Sequence, residues 1–342
     1  LNTGGVLNGG VAVSKSTDGG RTWSEPVLTQ TPEDRAWLVT DPSTNKLYVS
    51  SGLPSLFGVK DGLLGPRSTG DRNAAIGNVN DRWLVASTDG VHWTAPHRFG
   101  GGGVPGVSAG MSSMSTAANR VFAATFHSTD NAECRFLLHA SAPCTGFQTT
   151  RDDGVTWTRD RVPVPSSSTG FAMVAADPTR AGHFAVAVMN AGSTQFLVYR
   201  TTDTGATWRG PTKLTDNAKT TKFKPWMAYS PTGTLGMMWR SYTKSGVAGE
   251  NETAPAASGD DETAPYNVWA VISRDGGATF SAPLNITTAP SRAADPKQKV
   301  GGDDFSFINL DTDAAFIAWA DWRPGEMSGY FSAIDLSLFQ AR

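Results

Sequence analysis

Short apolar runs separated by polar turns recur along the chain. Residues 36–39, 171–176, 235–239 and 268–272 are examples. Runs of this kind, bounded by Gly, Pro, Asn or Asp, are typical of β-strands. None approaches the length of a membrane span. The pattern therefore predicts an all-β chain with many turns.

One of the polar turns is repeated. Its rule is Ser/Thr-x-Asp-x-Gly-x-Thr-Trp/Phe, and we number the copies in chain order: box 1 (residues 16–23, STDGGRTW), box 2 (87–93, one residue shorter), box 3 (150–157), box 4 (201–208) and box 5 (273–280). Apolar runs flank the boxes, so each box is predicted to be the hairpin between two antiparallel strands.

The residue types in a box indicate turn chemistry. The Asp side chain accepts hydrogen bonds from nearby backbone N–H groups, and the Gly adopts a positive φ. The aromatic residue is predicted to anchor the turn on the sheet beneath it. A metal site is the alternative for a recurring carboxylate, but carboxylates on five hairpins cannot converge on one ion. The residues concerned are Asp18, Trp23, Asp89, Trp93, Asp152, Trp157, Asp203, Trp208, Asp275 and Phe280.

This rule resembles the Asp box, or BNR repeat, of sialidases and related β-propellers. A second repeat, two apolar strands joined at a Pro, Gly or Asn turn, occurs at residues 34–50, 171–188 and 224–239. Together the two repeats predict blades of four antiparallel strands. We expect a single propeller domain over residues 1–342. The box spacing indicates five adjacent blades, and three further strands without a box, at residues 305–310, 316–322 and 330–336, favour a sixth. Seven blades are possible and five are not excluded.

Composition narrows the function classes. The formal net charge is −2 and charged residues make up 18% of the chain, which indicates neither a nucleic-acid nor a polybasic membrane surface. Without a signal peptide, the chain is either cytosolic or processed. Cys134 and Cys144 favour a local disulfide across a hairpin, with two buried thiols as the alternative. We therefore expect an extracellular, monomeric protein whose signal peptide has been removed.

Ligand chemistry is expected at one mouth of the central channel, next to the innermost strands. The candidate residues form three groups: Asp34, Arg35 and Trp37; Lys224, Trp226 and Arg240; and Asp303, Asp304, Asp321, Trp322 and Arg323. Mixed acids and arginines could bind an anionic or sugar ligand. They could equally form a buried salt-bridge girdle that holds the blades together.

Resemblance to sialidases implies an arginine triad, a Tyr/Glu nucleophile pair and an Asp acid/base, with the first arginine in a Phe-Arg-Ile-Pro-like stretch before the first Asp box. Here no arginine precedes Arg21 and no aspartate precedes Asp18. Glu326 is four residues from Tyr330, which separates them by about 13 Å on a strand. We expect no sialidase activity, no cofactor and no metal, since the five histidines lack metal-ligand spacing.

Two classes of function stay open. The chain resembles a secreted bacterial Asp-box propeller that lacks catalytic residues, engages an extracellular metalloprotease and is cross-linked by transglutaminase. That resemblance implies a protein-interaction scaffold with reactive glutamines, for which the candidates are Gln30, Gln298 and Gln340. The alternative is a glycoside hydrolase of the sialidase clan or a lectin-like carbohydrate binder.

Overall fold

The computed structural model of the chain describes residues 2–3, 6–7, 10–29, 31, 34–41, 43–52, 57–60, 63–66, 82–99, 112–117, 121–128, 144–164, 169–190, 194–215, 222–242, 265–292 and 306–341. Within these ranges the regular structure is β-strand, apart from one 3-10 turn at Leu336–Leu338. The predicted all-β class is confirmed. No helix among the described residues has the length and apolarity needed to cross a membrane.

The N-terminal part of the chain forms two short pairs and the first full sheet. The pairs are β1 (Asn2–Thr3) with β2 (Val6–Leu7), and β3 (Ala12–Val13) with β4 (Val27–Leu28). Sheet I starts with β5 (Asp34–Thr40) and β6 (Leu47–Gly52). A separate hairpin follows, β7 (Phe57–Lys60) with β8 (Leu63–Pro66). Strands β9 (Arg82–Ser87) and β10 (His97–Phe99) complete sheet I.

Four further sheets follow in chain order. Sheet II contains β11 (Ser112–Ala117), β12 (Val121–Ser128), β13 (Cys144–Thr150) and β14 (Thr158–Val162). Sheet III contains β15 (Thr169–Ala176), β16 (Phe184–Met189), β17 (Phe196–Thr201) and β18 (Arg209–Leu214). Sheet IV contains β19 (Lys222–Tyr229), β20 (Leu235–Tyr242), β21 (Tyr266–Ser273) and β22 (Leu284–Asn285). Sheet V contains three strands, β23 (Ser306–Leu310), β24 (Ala314–Asp321) and β25 (Ser328–Asp335).

Sheets I to IV share one plan. Their strands are antiparallel neighbours in chain order, and boxes 2 to 5 join the third strand to the fourth. Box 1 joins β3 to β4 in the same way. The four-stranded unit predicted from the two repeats is therefore present. Strand pairing does not link one described sheet to the next, and the number of blades stays a prediction.

The core lies between the sheets. The first strands contact one another in the order β5, β11, β15, β19 and β23. Every residue of β16 and of β20 is buried, because both faces of each sheet are covered by its neighbours. This double coverage explains why the middle strands are continuous apolar runs rather than alternating ones.

Candidate functional site

Each Asp box is closed by its own hydrogen bonds. In box 3 the hydroxyl of Thr150 donates to Asp152 Oδ1 at 2.7 Å, and the Thr156 hydroxyl donates to Oδ2 at 2.6 Å. The Gly154 N–H donates to the Thr150 hydroxyl at 2.9 Å, and Trp157 Nε1 donates to the Gly154 carbonyl at 3.0 Å. The Ser/Thr, Asp and Gly bonds recur in boxes 1, 4 and 5.

These bonds hold the box carboxylates in their charged form. Hydrogen bonds donated by the Thr hydroxyl and N–H lower the pKa of Asp18, Asp152 and Asp203 to about 2. In box 2 the ring of His92 replaces the Thr hydroxyl, with Nδ1 2.7 Å from Asp89 Oδ2, and also lowers the pKa of Asp89. Among the described residues no cluster of His, Cys, Asp or Glu could hold a metal ion.

The aromatic residues of boxes 3 and 4 pack against the preceding sheet. Trp157 of sheet II contacts a buried cluster of Tyr48, Leu84 and Ala86 in sheet I. Trp208 of sheet III meets Phe147 of sheet II edge to face, with ring centroids 5.2 Å apart. The box turn lies between two sheets, so its ring buries apolar surface of the neighbour as well as its own.

Antiparallel pairing gives the sheets two different ends. The boxes follow the third strands and lie at one end. The first strands begin, and the second strands finish, at the opposite end, which we call the mouth end. The predicted channel residues belong to these strands: Trp37 lies in β5, Lys224 and Trp226 lie in β19, Arg240 lies in β20, and Asp321 ends β24.

A bulge shapes the first strand of three sheets toward the mouth end. The register shifts between Asp34 and Trp37 in β5, and between Phe223 and Trp226 in β19. A similar shift occurs in β15. Lys224 falls in the β19 bulge with a φ of 50° and is buried. Bulges of this kind redirect side chains near functional sites. The bulges of β5 and β19 are each followed directly by a tryptophan.

Those two tryptophans meet across the molecule. The indoles of Trp37 and Trp226 stack with centroids 4.5 Å apart and planes within 5° of each other. Their sheets, I and IV, are separated in chain order by sheets II and III, while neighbouring first strands touch in sequence. The first strands therefore curve around a common axis, and the two indoles meet near it. Both indoles keep some exposed surface.

Arg240 links sheet IV to sheet V. Its side chain is fully buried, and Nε and Nη2 donate to the Ser306 hydroxyl at 2.8 and 2.5 Å. The guanidinium also lies over the ring of Tyr266, 4.6 Å from its centroid. A buried arginine with such partners serves the contact between the two sheets and has no surface that a ligand could reach.

Asp321 and Arg323 form a second link in sheet V. The Asp321 carboxylate is fully buried and accepts hydrogen bonds from Arg323 Nε and from the backbone N–H groups of Arg323 and Arg292, the latter two at 2.9 and 3.1 Å. Arg323 also donates to the Ala289 carbonyl at 3.1 Å. Both carboxylate oxygens are thus occupied, and losing one partner would leave a buried charge, at a cost of several kcal/mol.

A cleft of about 570 Å³ opens beside this link. It lies between the segment after β22 and strands β24 and β25. The residues that line it are Ile286, Thr288, Trp319, Arg323, Pro324, Tyr330, Phe331 and Ser332. Trp319 and Tyr330 stack with centroids 5.8 Å apart, and Arg323 lies 4.7 Å above the Tyr330 ring. The cleft is therefore lined by aromatic side chains and one guanidinium. Sequence reasoning missed Trp319, although the same position in β20 is also a tryptophan, Trp239.

No hydrogen bond joins Tyr330 to Glu326 among the described contacts, and Glu326 is exposed in the turn before β25. Instead, the Tyr330 ring is held between Trp319 and Arg323. The Tyr/Glu pair that a sialidase needs is not formed by these two residues.

Several predicted site residues lie outside what the structure describes. Asp34 and Arg35 are in β5, and Cys144 begins β13, but their side chains are not described. Asp303, Asp304, Gln30, Gln298 and Cys134 lie outside the described residues. The disulfide stays a prediction. Gln340 is exposed, and its carbonyl accepts a hydrogen bond from the Ala282 N–H at 2.9 Å.

No protein-family model and no curated protein sequence matches the chain. Solved structures do. A protein of unknown function from Dyadobacter fermentans is 16% identical with a TM-score of 0.56, over 98% of this chain and 86% of that one. The Hadza microbial sialidase Hz136 is 16% identical with a TM-score of 0.52, over 96% of this chain. An alpha-L-arabinanase of Penicillium chrysogenum, complexed with arabinobiose, is 13% identical with a TM-score of 0.50, over 95% of this chain and 85% of that one.

This chain covers only 60% of the length of the sialidase it matches. The likenesses show the fold, which is that of a sialidase-like β-propeller. They do not carry an activity over, because one fold hosts many functions.

Proposed function

We propose that the chain is a non-catalytic β-propeller that binds a protein partner outside the cell. The proposal is supported by charged residues near the mouth end, which are buried and hydrogen-bonded within the protein. Asp321 and Arg240 are fully buried and bonded to neighbouring segments of sheets IV and V. Such groups hold neighbouring sheets together. They could act as an acid–base pair, or bind the carboxylate of a substrate, only if those hydrogen bonds were broken.

The resemblance of the sequence suggests a partner class. In its Asp-box content, the chain resembles dispase autolysis-inducing protein, which engages an extracellular metalloprotease and is cross-linked by transglutaminase. Of the candidate glutamines, Gln340 is exposed in the described part of the chain. By contrast, Gln148 is fully buried in β13 and serves as an internal reference.

Cross-linking is tested with transglutaminase and a fluorescent primary amine on the folded protein. We expect labelled Gln340 in the tryptic peptides and no label on Gln148. Gln340→Asn is the matched variant, because it shortens the side chain by one methylene and keeps the amide. No labelling of any glutamine in the native chain would contradict this part of the proposal.

Partner binding is tested separately. The immobilised chain is exposed to an active-site-blocked secreted metalloprotease, and to a blocked serine protease as the control. We expect saturable binding to the first and none to the second. Equal binding to both, or to neither, would contradict the protease-partner proposal.

A carbohydrate binder is the second candidate, and the aromatic surfaces favour it. The partly exposed rings of Trp37 and Trp226, and the Trp319–Tyr330 pair with Arg323, combine aromatic side chains with a polar group. Such a combination is common in small-molecule sites. Titration calorimetry with arabinobiose and with a sialylated trisaccharide tests it. Binding that Trp226→Ala or Tyr330→Ala abolishes would favour this candidate over the scaffold.

A further inference from the structure

In boxes 1, 3 and 5 the carbonyl of the glycine at the fifth position accepts a hydrogen bond from a side chain. The indole N–H of the box's own tryptophan is the donor in two of them. Trp23 donates to Gly20 in box 1, and Trp157 donates to Gly154 in box 3, each at 3.0 Å. Box 5 ends in a phenylalanine, which has no N–H to donate.

In box 5 the donor comes from the preceding sheet. The hydroxyl of Thr212, in the fourth strand of sheet III, donates to the carbonyls of Gly277 and Ala278 at 3.0 and 3.2 Å. Arg200 Nη1 donates to the same glycine carbonyl at 3.4 Å. A side chain of the fourth strand can therefore replace the indole, and the hydrogen bond then joins sheet III to sheet IV.

Box 4 shows neither arrangement. The Nε1 atom of Trp208 is buried without a hydrogen-bond partner, as is that of Trp93 in the shorter box 2. Among the hydrogen bonds of the described residues, none is donated to the Gly205 carbonyl. The glycine carbonyl of box 4 therefore has an open place for a donor from sheet II.

Asp160 occupies in sheet II the position that Thr212 occupies in sheet III. Asp160 of β14 pairs with Phe147 of β13. Thr212 of β18 pairs with Val198 of β17. Each partner is the third residue before a box, and directly paired residues lie on the same face of a sheet. Asp160 thus faces box 4, and a methyl group added to Gly205 would lie 3.6 Å from its Oδ2.

The charge of Asp160 decides which hydrogen bond it can make there. An ionised carboxylate only accepts hydrogen bonds, whereas a protonated one carries an O–H group that donates. The ionised form beside a backbone carbonyl is therefore shielded from water without gaining a donor. In keeping with this position, burial raises the pKa of Asp160.

Other charged groups near Asp160 are exposed or already bonded. Asp203 of box 4 accepts the hydroxyls of Thr201 and Thr207 at 2.7 and 2.5 Å. No described side chain forms an ion pair with Asp160. The titratable and charged residues on the elements packed around it are Asp203, Tyr199 of β17, Arg209 and Lys213 of β18, His183 before β16, Cys144 of β13, and Arg159 and Arg161 of β14 itself.

We propose that Asp160 forms a pH-sensitive contact between sheets II and III. In its protonated form the carboxylic acid donates to the carbonyls of Gly205 and Ala206 in box 4, as the Thr212 hydroxyl donates to box 5. Ionisation removes that hydrogen bond and leaves a carboxylate beside the carbonyls, so the two sheets separate more readily. Acidification therefore tightens this contact while the aspartates of the boxes are still ionised.

Hydroxyl-radical footprinting of the full chain at pH 8 and pH 4.5 tests the proposal. The rate at each residue is divided by its rate in the unfolded chain at the same pH. We expect Trp208, which packs on Phe147 of sheet II, to be oxidised about threefold more slowly at pH 4.5 than at pH 8. Phe280 of box 5 is the internal reference and keeps one rate. Equal rates for Trp208 at the two pH values would overturn the proposal.

Three variants then assign the effect to the Asp160 carboxyl group. Asp160→Asn supplies an N–H donor at every pH, and Asp160→Thr copies sheet III, so in both variants Trp208 should keep its slow rate at pH 8. Thr212→Asp transfers the contact to sheet III, so Phe280 should then be oxidised faster at pH 8 than at pH 4.5.

Two results would overturn the proposal. One is a Trp208 rate that still depends on pH in Asp160→Asn and Asp160→Thr. The other is a Phe280 rate that stays independent of pH in folded Thr212→Asp. The two Asp160 variants decide the question if Thr212→Asp does not fold.

Discussion

At the scale of single residues, the side chains of the Asp box provide hydrogen-bond acceptors for the backbone of its turn. Its tight turn leaves N–H groups without strand partners, and the Asp and Ser/Thr side chains accept their hydrogen bonds. The same bonds keep the carboxylate ionised at a low pKa. An aspartate used in this way is committed to the turn, which explains why five copies imply a fold and not an active site.

The stability of the boxes should depend on pH in the acid range. The pKa of Asp152 is about 2 in the folded chain, against an ordinary value of 3.8. A depressed folded pKa means that the stabilisation is present above the ordinary value and is lost as the pH falls through about 2. We therefore expect the urea concentration at the unfolding midpoint to decrease as the pH is lowered from 4.5 to 2, because protonation of the carboxylates removes this stabilisation. Asp152→Asn should make the urea midpoint depend less on pH, whereas Arg151→Gln, in the same box, should leave that dependence unchanged. An equal dependence on pH in the two variants would contradict the assignment.

The aromatic anchors are testable one at a time. Trp208→Ala removes a ring that meets Phe147 edge to face and packs on the core of sheets II and III. We expect a loss of about 3–5 kcal/mol in the free energy of unfolding. Val155→Ala, at an exposed box position, should change it by less than about 0.5 kcal/mol. A loss below about 1 kcal/mol for Trp208→Ala would show that its ring is not an anchor.

At the scale of elements, the contact between a box and the preceding sheet decides how closely two sheets approach. Gly205 has a φ of 94°, and a side chain there would overlap the ring of Phe147. Gly19 of box 1 also has a positive φ, 75°, but no atom lies within 4 Å of an added methyl group. Substitutions at these two glycines therefore distinguish the cost of backbone strain, which both share, from the cost of crowding between sheets, which only Gly205 has.

Gly205→Ala should therefore be more destabilising than Gly19→Ala. Both variants carry the strain of a positive φ, while only Gly205→Ala forces Phe147 to move. We expect an additional loss of about 1–3 kcal/mol for Gly205→Ala, the usual cost of overpacking. Equal losses in thermal or urea unfolding would mean that the sheets can separate without penalty.

The sequence predicts these elements better than it predicts their contacts. The repeats identify the hairpins because Asp, Gly and Trp act within a few residues of one another. Trp157 packs on sheet I, and Trp37 stacks on Trp226. Both contacts join residues far apart in the chain, so no local sequence pattern predicts them. Likewise, the sequence makes Asp321 a candidate ligand-binding acid. Only its burial beside Arg323 shows that its carboxylate oxygens already accept hydrogen bonds.

At the scale of the whole molecule, successive sheets are joined by boxes at one end and by buried polar links toward the other. Lys46 and Tyr48 of sheet I bond Asp153 of box 3 at 2.5 and 3.1 Å, while Arg240 bonds sheet V at Ser306. The fold is that of sialidases and arabinanases, but Arg240, Asp321 and Arg323 stabilise the packing of the sheets. Because these residues are engaged in packing, we expect the chain to hydrolyse no glycoside.

Hydrolysis assays test this expectation. The purified chain is incubated with fluorogenic sialoside and arabinoside substrates from pH 4 to pH 8, beside Tyr330→Phe and a buffer blank. We expect a rate equal to the blank for both proteins and both substrates. Turnover by the wild-type chain that disappears in Tyr330→Phe would contradict it and assign the cleft to catalysis.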